Sequence, residues 1–340
     1  MADGAIISEG NSSFLKRHMV AFSSREFLLV GINLVIFAFL AFMRPDVFPT
    51  WTNIKAVLSL MSYDLLVAVA MTVVLIARGL DLSVGSVLAL SSVVIAMLMR
   101  DGFPIVPALA AGLIIALLCG LVNGMLIAKA GILPFLVTLG MMSVARGVAT
   151  LLTTGQYISF PRADRWFTHF GRYEFRLQIG DTFYGIPATL LVTLAVIAIF
   201  AVLLSHWTPL RKIFYVGESP EAAKLSGIKV DRLTIVVYLL SAFFVWVAAV
   251  LMTSANKIGY ANYGIGAELR ALAAAVVGGA SMAGGVGSVL GTFLGVLMLA
   301  LIGNGFILLN GNPNWQQATV GIVLIAAVGV DAIRTYGSRR

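Results

Sequence analysis

Charged side chains make up only 11% of these 340 residues, so each one inside an apolar run is a candidate for chemistry. Asp81 and Ser83 open one such run. A carboxylate and a hydroxyl there can cap the free N–H groups of a helix start or serve as a gate. Glu268 and Arg270 stand two apart at the outer end of another run. On a helix they point to different faces and do not pair with each other. An ionisable group at membrane depth is costly and faces a cavity or a partner, so each reads as a structural ion pair or a pathway residue. Arg146, inside a third run, is a similar pathway candidate. Asp64, Asn123 and Asn304 read first as polar glue between helices, with Asn304 kept among the pathway residues.

The residues for bond-breaking chemistry are missing. There is no Gly-x-x-x-x-Gly-Lys-Ser/Thr loop, and the dipeptide Gly-Lys does not occur, so ATP is not hydrolysed here by that route. His18, His169 and His206 are scattered over a tail and two loops, with no His-Glu-x-x-His or Cys/His cluster for a metal. No Gly-x-Ser-x-Gly elbow is present. The lone Cys119 cannot form an intrachain disulfide. The chain reads as neither an enzyme nor a holder of a cofactor or metal.

The elements that must position the candidates are membrane helices. Hydrophobic residues make up 60% of the chain, too little polar surface to cover a soluble fold, where charged residues alone reach about 25%. Ten apolar segments emerge, at about 27–43, 56–77, 84–99, 106–128, 133–153, 187–205, 234–253, 267–280, 288–307 and 315–333. The fold class is therefore all-α and polytopic. The short eighth segment, followed by the Gly-rich stretch Gly278–Gly287, and the join Ala77–Asp81 between the second and third, suggest broken or re-entrant helices. Gly278, Gly279, Gly284 and Gly285 are hinge candidates, with close helix packing as the plainer reading. The segment Val84–Leu88 echoes Val286–Leu290, a faint sign of internal repetition.

The net charge of +8 sets topology rather than nucleic-acid binding. With the N-terminus inside, thirteen Lys and Arg fall in inside segments (among them Lys16, Arg17, Arg25, Arg78, Arg211, Lys212, Arg339 and Arg340) and eight outside. Both termini are expected in the cytoplasm, as tails 1–26 and 334–340 flanking one permease domain over 27–333. No cleavable leader is read in the first 26 residues. The aromatic-rich loop 154–186 is expected outside. The loop 206–233 is expected inside, with a short helix from Pro220 to Ser226: Ser219 caps it, Pro220 takes its first position and Gly227 ends it.

Three stretches carry a resemblance. They are Ile76-Ala-Arg-Gly-Leu-Asp-Leu-Ser-Val-Gly-Ser-Val-Leu-Ala-Leu90, Tyr215-Val-Gly-Glu-Ser-Pro-Glu-Ala-Ala-Lys-Leu-Ser-Gly-Ile228, and Glu268-Leu-Arg-Ala-Leu-Ala-Ala-Ala-Val-Val-Gly-Gly-Ala-Ser-Met-Ala-Gly-Gly-Val-Gly-Ser288. In this order and spacing, and with Pro134–Gly140 followed by Ala145-Arg146-Gly147, the chain over about 50–333 resembles the permease family of ribose, xylose, galactose and autoinducer ABC importers. It departs where Arg78 and Leu80 replace a glycine and an isoleucine, and where Arg270 stands in place of a common aspartate.

The resemblance implies a permease subunit of the bacterial inner membrane. It would take a sugar-like solute from a periplasmic binding protein and pair with a second permease copy or homologue within the membrane lipid. It would be driven by a cytoplasmic ABC ATPase that holds ATP and Mg. Gly217, Pro220, Glu221, Ala222, Ala223 and Gly227 would then form the ATPase-coupling element. The competing readings are a secondary transporter, which buried mid-membrane carboxylates would favour, and an ABC permease for a non-sugar solute such as a nucleoside.

Overall fold

The computed structural model describes residues 26–160, 165–180, 182–312 and 314–337. The tail calls over residues 1–25 and 338–340, with Lys16, Arg17, Arg25, Arg339 and Arg340, lie outside the described residues. The chain forms α1 (Glu26–Met43), α2 (Trp51–Ile76), α3 (Val84–Arg100), α4 (Ile105–Ala128), α5 (Pro134–Thr153), β1 (Ile158–Ser159), α6 (Arg165–Phe170), β2 (Glu174–Ile179) and β3 (Thr182–Pro187). It continues with α7 (Ala188–His206), α8 (Thr208–Glu218), α9 (Pro220–Leu225), α10 (Val230–Asn256), β4 (Ile258–Gly259), α11 (Ala267–Val277), α12 (Val289–Leu308) and α13 (Asn314–Gly337).

Each of the ten expected segments contains a helix. Seven of these, α1, α2, α4, α5, α7, α10 and α12, are long and apolar enough to cross a membrane. The apolar runs of α3 and α13 are shorter, and α11, at 11 residues, extends only about 16 Å. This is an all-α, multi-pass membrane protein.

Burial separates two kinds of apolar helix. From Leu65 to Ile76 every residue of α2 is buried, as a helix hydrophobic all round must be when it forms the core. It packs against α7, α10, α11 and α12. By contrast α1 exposes Phe27, Leu34, Val35 and Phe42, and α5 exposes Phe135, Val144 and Leu151. Such surface suits lipid, where the helix still satisfies its own backbone.

The two ends of α2 mark the two ends of the bundle. Near its start, Lys55 pairs with Glu174 of β2 at 2.9 Å and Trp51 packs edge-on against Tyr184 of β3; this is the hairpin end. Near its finish lie α8 and α9; this is the α9 end. The hairpin itself, with Glu174 opposite Pro187, was not foreseen in the loop 154–186, nor was the pairing of Ile158 with Gly259. In 206–233 the structure has two helices where one was expected. The extra one, α8, buries Leu210, Ile213, Val216 and Gly217. That spacing marks a single face, obscured in sequence by the charged and aromatic residues between, Arg211, Lys212, Phe214 and Tyr215.

Candidate functional site: a locked junction, a buried aspartate and an open face

At the α9 end, Ser219 leaves the helical region and its hydroxyl accepts from the Ala222 N–H at 3.2 Å. Pro220 follows at the first helical position, and Gly227 turns the chain away at φ +78°. Glu221, Ala222 and Lys224 face outward, and Leu225 is 91% exposed. Ala223 is buried, so a bulky group there would unseat α9 before meeting any partner. The exposed Leu225 was not singled out in the sequence, although a leucine beside Lys224 on a short polar helix is a signal of that kind.

Behind α9 three backbone segments meet. Gly217, in the last turn of α8, lies so close to the Ile76 carbonyl and the Gly285 N–H that a methyl group would overlap both. The Gly285 N–H donates to the Ile76 carbonyl at 2.9 Å. Gly284 at φ +86° lies over the Gly217 carbonyl and Cβ of Arg78, a conformation and a closeness that only glycine tolerates. The ends of α2 and α8 and the turn before α12 are thus joined backbone to backbone. Gly278 packs instead against Gly291 of α12, and Gly279 turns at φ +99°.

Asp81 is buried beside the start of α3. One carboxylate oxygen accepts from the Ser83 N–H at 3.0 Å and the Ser83 hydroxyl at 2.6 Å. The other accepts from Ser241 of α10 at 2.8 Å. The Ser83 hydroxyl in turn accepts from the Asn123 amide of α4 at 3.1 Å. Ser83 makes no side-chain cap to α3; the carboxylate organises the turn before the helix instead. Nearby, the Leu80 carbonyl accepts from Tyr238 of α10 at 3.2 Å and from Thr138 of α5 at 3.3 Å. The break between α2 and α3 is therefore satisfied from three neighbouring helices, as irregular backbone at membrane depth must be.

The segment between α10 and α11 re-enters the bundle along α3. Gly259 packs on Ser92, Val93 and Ala96, while Gly264 packs on Gly85, about 12 Å nearer the start of α3 at 1.5 Å per residue. Arg146 of α5 holds this descent, its guanidinium donating to the carbonyls of Ala261 and, at 2.8 Å, Tyr263. Glu268 in the first turn of α11 lies against Gly85. Asn304 of α12 exchanges amide hydrogen bonds with Asn53 of α2, at 2.7 and 3.1 Å. Arg146 and Asn304 thus brace backbone and helices, whereas Glu268 is packed against Gly85.

Arg270 is placed differently. Its guanidinium reaches Asp64, midway along α2, at 3.3 Å, and both side chains stay about one-third exposed. They border a cavity of about 240 Å³ between α2, α11, α12 and α13, walled by Leu60, Ala271, Val296, Ala300, Gly303 and Val320. Asp64, read as helix glue, is the residue that sequence reasoning underweighted. Its partner is 206 positions away, a separation no local pattern reveals.

The family model described as "Branched-chain amino acid transport system / permease component" matches residues 53–328. The chain is 35% identical over 280 residues to the ribose import permease protein of Bacillus subtilis, covering 82% of this chain and 84% of that one. It is 32% identical over 328 residues to the galactose/methyl galactoside import permease protein of Escherichia coli, covering 89% and 93%. It is 30% identical over 320 residues to the fructose import permease protein of Rhizobium meliloti, covering 93% and 87%. No solved structure matches the chain. With core, broken helices and glycine junction all inside the matched span, the chain belongs to this family of transport-system permease components.

Proposed function

We propose that this chain is the membrane-spanning subunit of an ATP-driven importer for a monosaccharide or similar solute. The observation that carries the reading is the α9 end: a capped, outward-facing helix with an exposed leucine, following directly on α8, which is joined backbone to backbone to the core helix α2. A chain without a nucleotide-binding loop needs such an element to receive motion from elsewhere. A short amphipathic helix laid in a partner's groove is a common way to do so. The α9 end then faces the cytoplasm of a bacterial inner membrane, where an ABC ATPase carrying ATP and Mg docks on Glu221, Ala222 and Leu225. The hairpin end faces the solute-binding protein, and a second permease copy or homologue completes the path. Relatives named for ribose, galactose and fructose import favour a sugar, although the family description names branched-chain amino acids.

The test is ATP-dependent uptake into vesicles. The chain is reconstituted with an ABC ATPase and a solute-binding protein of the same organism and offered labelled D-ribose, D-galactose, D-fructose and L-leucine. Uptake of at least one sugar, dependent on ATP and on both partners, is the expected result. Uptake driven by an ion gradient without the ATPase would overturn the reading in favour of a secondary transporter. Uptake of leucine alone would keep the importer and reject the sugar.

A further inference from the structure

We infer that Asp64 and Arg270 together form a contact for the hydroxyl groups of the solute, on the face where α2, α11, α12 and α13 meet. This assignment rests on the importer reading above and names the residues and the ligand chemistry that it leaves open.

The argument starts from cost. Charged side chains at mid-helix depth are tolerated where they face a partner, a cavity or water. Three other polar groups at depth are closed off: Asp81 by hydroxyls and an N–H, Arg146 by two carbonyls, Asn304 by Asn53. Asp64 and Arg270 are not closed off in this way. They remain part-exposed on the rim of a cavity of about 240 Å³. Arg270 also donates to the Ile265 carbonyl, and its contacts to Ile265 and Asp64 are both 3.3 Å, longer than the roughly 2.7–2.9 Å of a tight charge-assisted bond. A guanidinium has five N–H donors in a fixed fork, and a carboxylate about four lone-pair positions. Donors and acceptors are therefore left over, and they lie side by side.

That pairing selects a ligand. A hydroxyl is both donor and acceptor; one on a neighbouring carbon is within reach of the same pair. A polyol can therefore donate to Asp64 and accept from Arg270 without separating them. An anion would meet Asp64, and a cation Arg270, as like charges. A zwitterionic amino acid would have to pull the pair apart to use it. The walls are small or aliphatic (Ala271, Ala300 and Gly303, with Leu60, Val296 and Val320). They leave room for a ring and offer apolar contact to its C–H face. The cavity is smaller than the roughly 300–1,000 Å³ of sites for drug-sized ligands, which suits a single small sugar.

The experiment uses the reconstituted complex and the same four labelled solutes. Asp64→Asn and Arg270→Gln are each expected to cut sugar uptake about tenfold or more, the effect of losing a hydrogen bond to a charged group. Arg270→Lys keeps the charge without the fork; it is expected to fold and still lose uptake. The decisive variant is the exchange Asp64→Arg with Arg270→Asp. A pair that only braces α2 against α11 would be restored by the exchange, in thermal midpoint and in uptake together. A solute contact would regain the midpoint while uptake stays low. Restored uptake in the exchanged variant, wild-type uptake in the single variants, or preferred transport of leucine by the wild-type chain would each overturn the assignment. Failure of the wild-type chain to bind the ATPase would instead overturn the importer reading, so the two failures are told apart.

Discussion

Asp81 and Asp64 are seventeen positions apart, near each other in sequence and handled in opposite ways. Asp81 sits where the chain breaks between two helices, and three donors from Ser83 and Ser241 close over it. Asp64 sits in the middle of an unbroken helix and meets one loose guanidinium beside a cavity. The difference shows what a carboxylate is for in a membrane protein. Where the backbone needs organising, the charge is spent on the protein's own hydrogen bonds. Where the backbone is already satisfied by a continuous helix, the charge is free of that task, and in the assignment proposed above it meets a ligand. The same contrast separates the closed junction at Gly217, Gly284 and Gly285 from the outward face of α9.

The comparison would break most readily at Asp81. Asp81→Ala would leave the Ser83 N–H and the hydroxyls of Ser83 and Ser241 without their acceptor. Each buried donor so stranded costs about 1–3 kcal/mol, although a hydroxyl can rotate toward another acceptor. The expected outcome is a sharply lower yield of folded protein and a lower thermal midpoint in detergent. Asp81→Asn keeps the shape and one acceptor oxygen, and is expected to fall between. If Asp81→Ala instead folds like wild type and loses only uptake, Asp81 belongs with Asp64 and the contrast is wrong.

Gly217→Val comes next in size. Its branched side chain would press on the Ile76 carbonyl and the Gly285 N–H, and overpacking of this kind costs about 1–3 kcal/mol. The chain can relieve it by lifting α8 off the end of α2. Membrane insertion should therefore survive, while ATP hydrolysed per solute transported rises. Unchanged coupling in vesicles, with the variant folded, would show that this junction transmits nothing.

How much of this was legible beforehand follows from where each feature is encoded. The apolar helices are written in composition and length, and the start of α9 in Ser219-Pro220, because a cap is a local arrangement of a few residues. Longer-range features were not legible. Nothing in the apolar stretch of α2 tells Asp64 that Arg270 will stand beside it, since the pairing depends on how α11 seats after the descent through Gly264. Arg146 read as a pathway charge because its two carbonyl partners lie more than a hundred residues away. The hairpin of β2 and β3 is legible in part, since Glu174-Phe-Arg-Leu-Gln-Ile179 alternates polar and apolar with the period of a strand; it escapes notice because so short a mixed segment is not an apolar run. Glycines were visible as a cluster, but their roles divided only in three dimensions: Gly278 packs on α12, whereas Gly284 and Gly285 turn over α8.

The smallest expected effect on the chain itself is at Leu225, and it sharpens the comparison from the open side. A side chain 91% exposed contributes almost nothing to the isolated permease. Leu225→Ser should therefore change the thermal midpoint very little, as surface substitutions usually stay within about 0.5 kcal/mol. Its effect should emerge only when a partner covers it. Burying a leucine is worth about 1.5–3 kcal/mol, so its loss should weaken ATPase association about tenfold to a hundredfold. Glu221→Lys should act in the same direction but more mildly, since an exposed ion pair contributes about 0–1 kcal/mol. The measurement is co-purification of the ATPase across a dilution series, paired with the melting curve of the permease alone. A normal midpoint with weakened association fits α9 as a docking face. If Leu225→Ser binds the ATPase as wild type does, α9 is not where the partner sits, and the glycine junction behind it would serve only to hold the bundle closed.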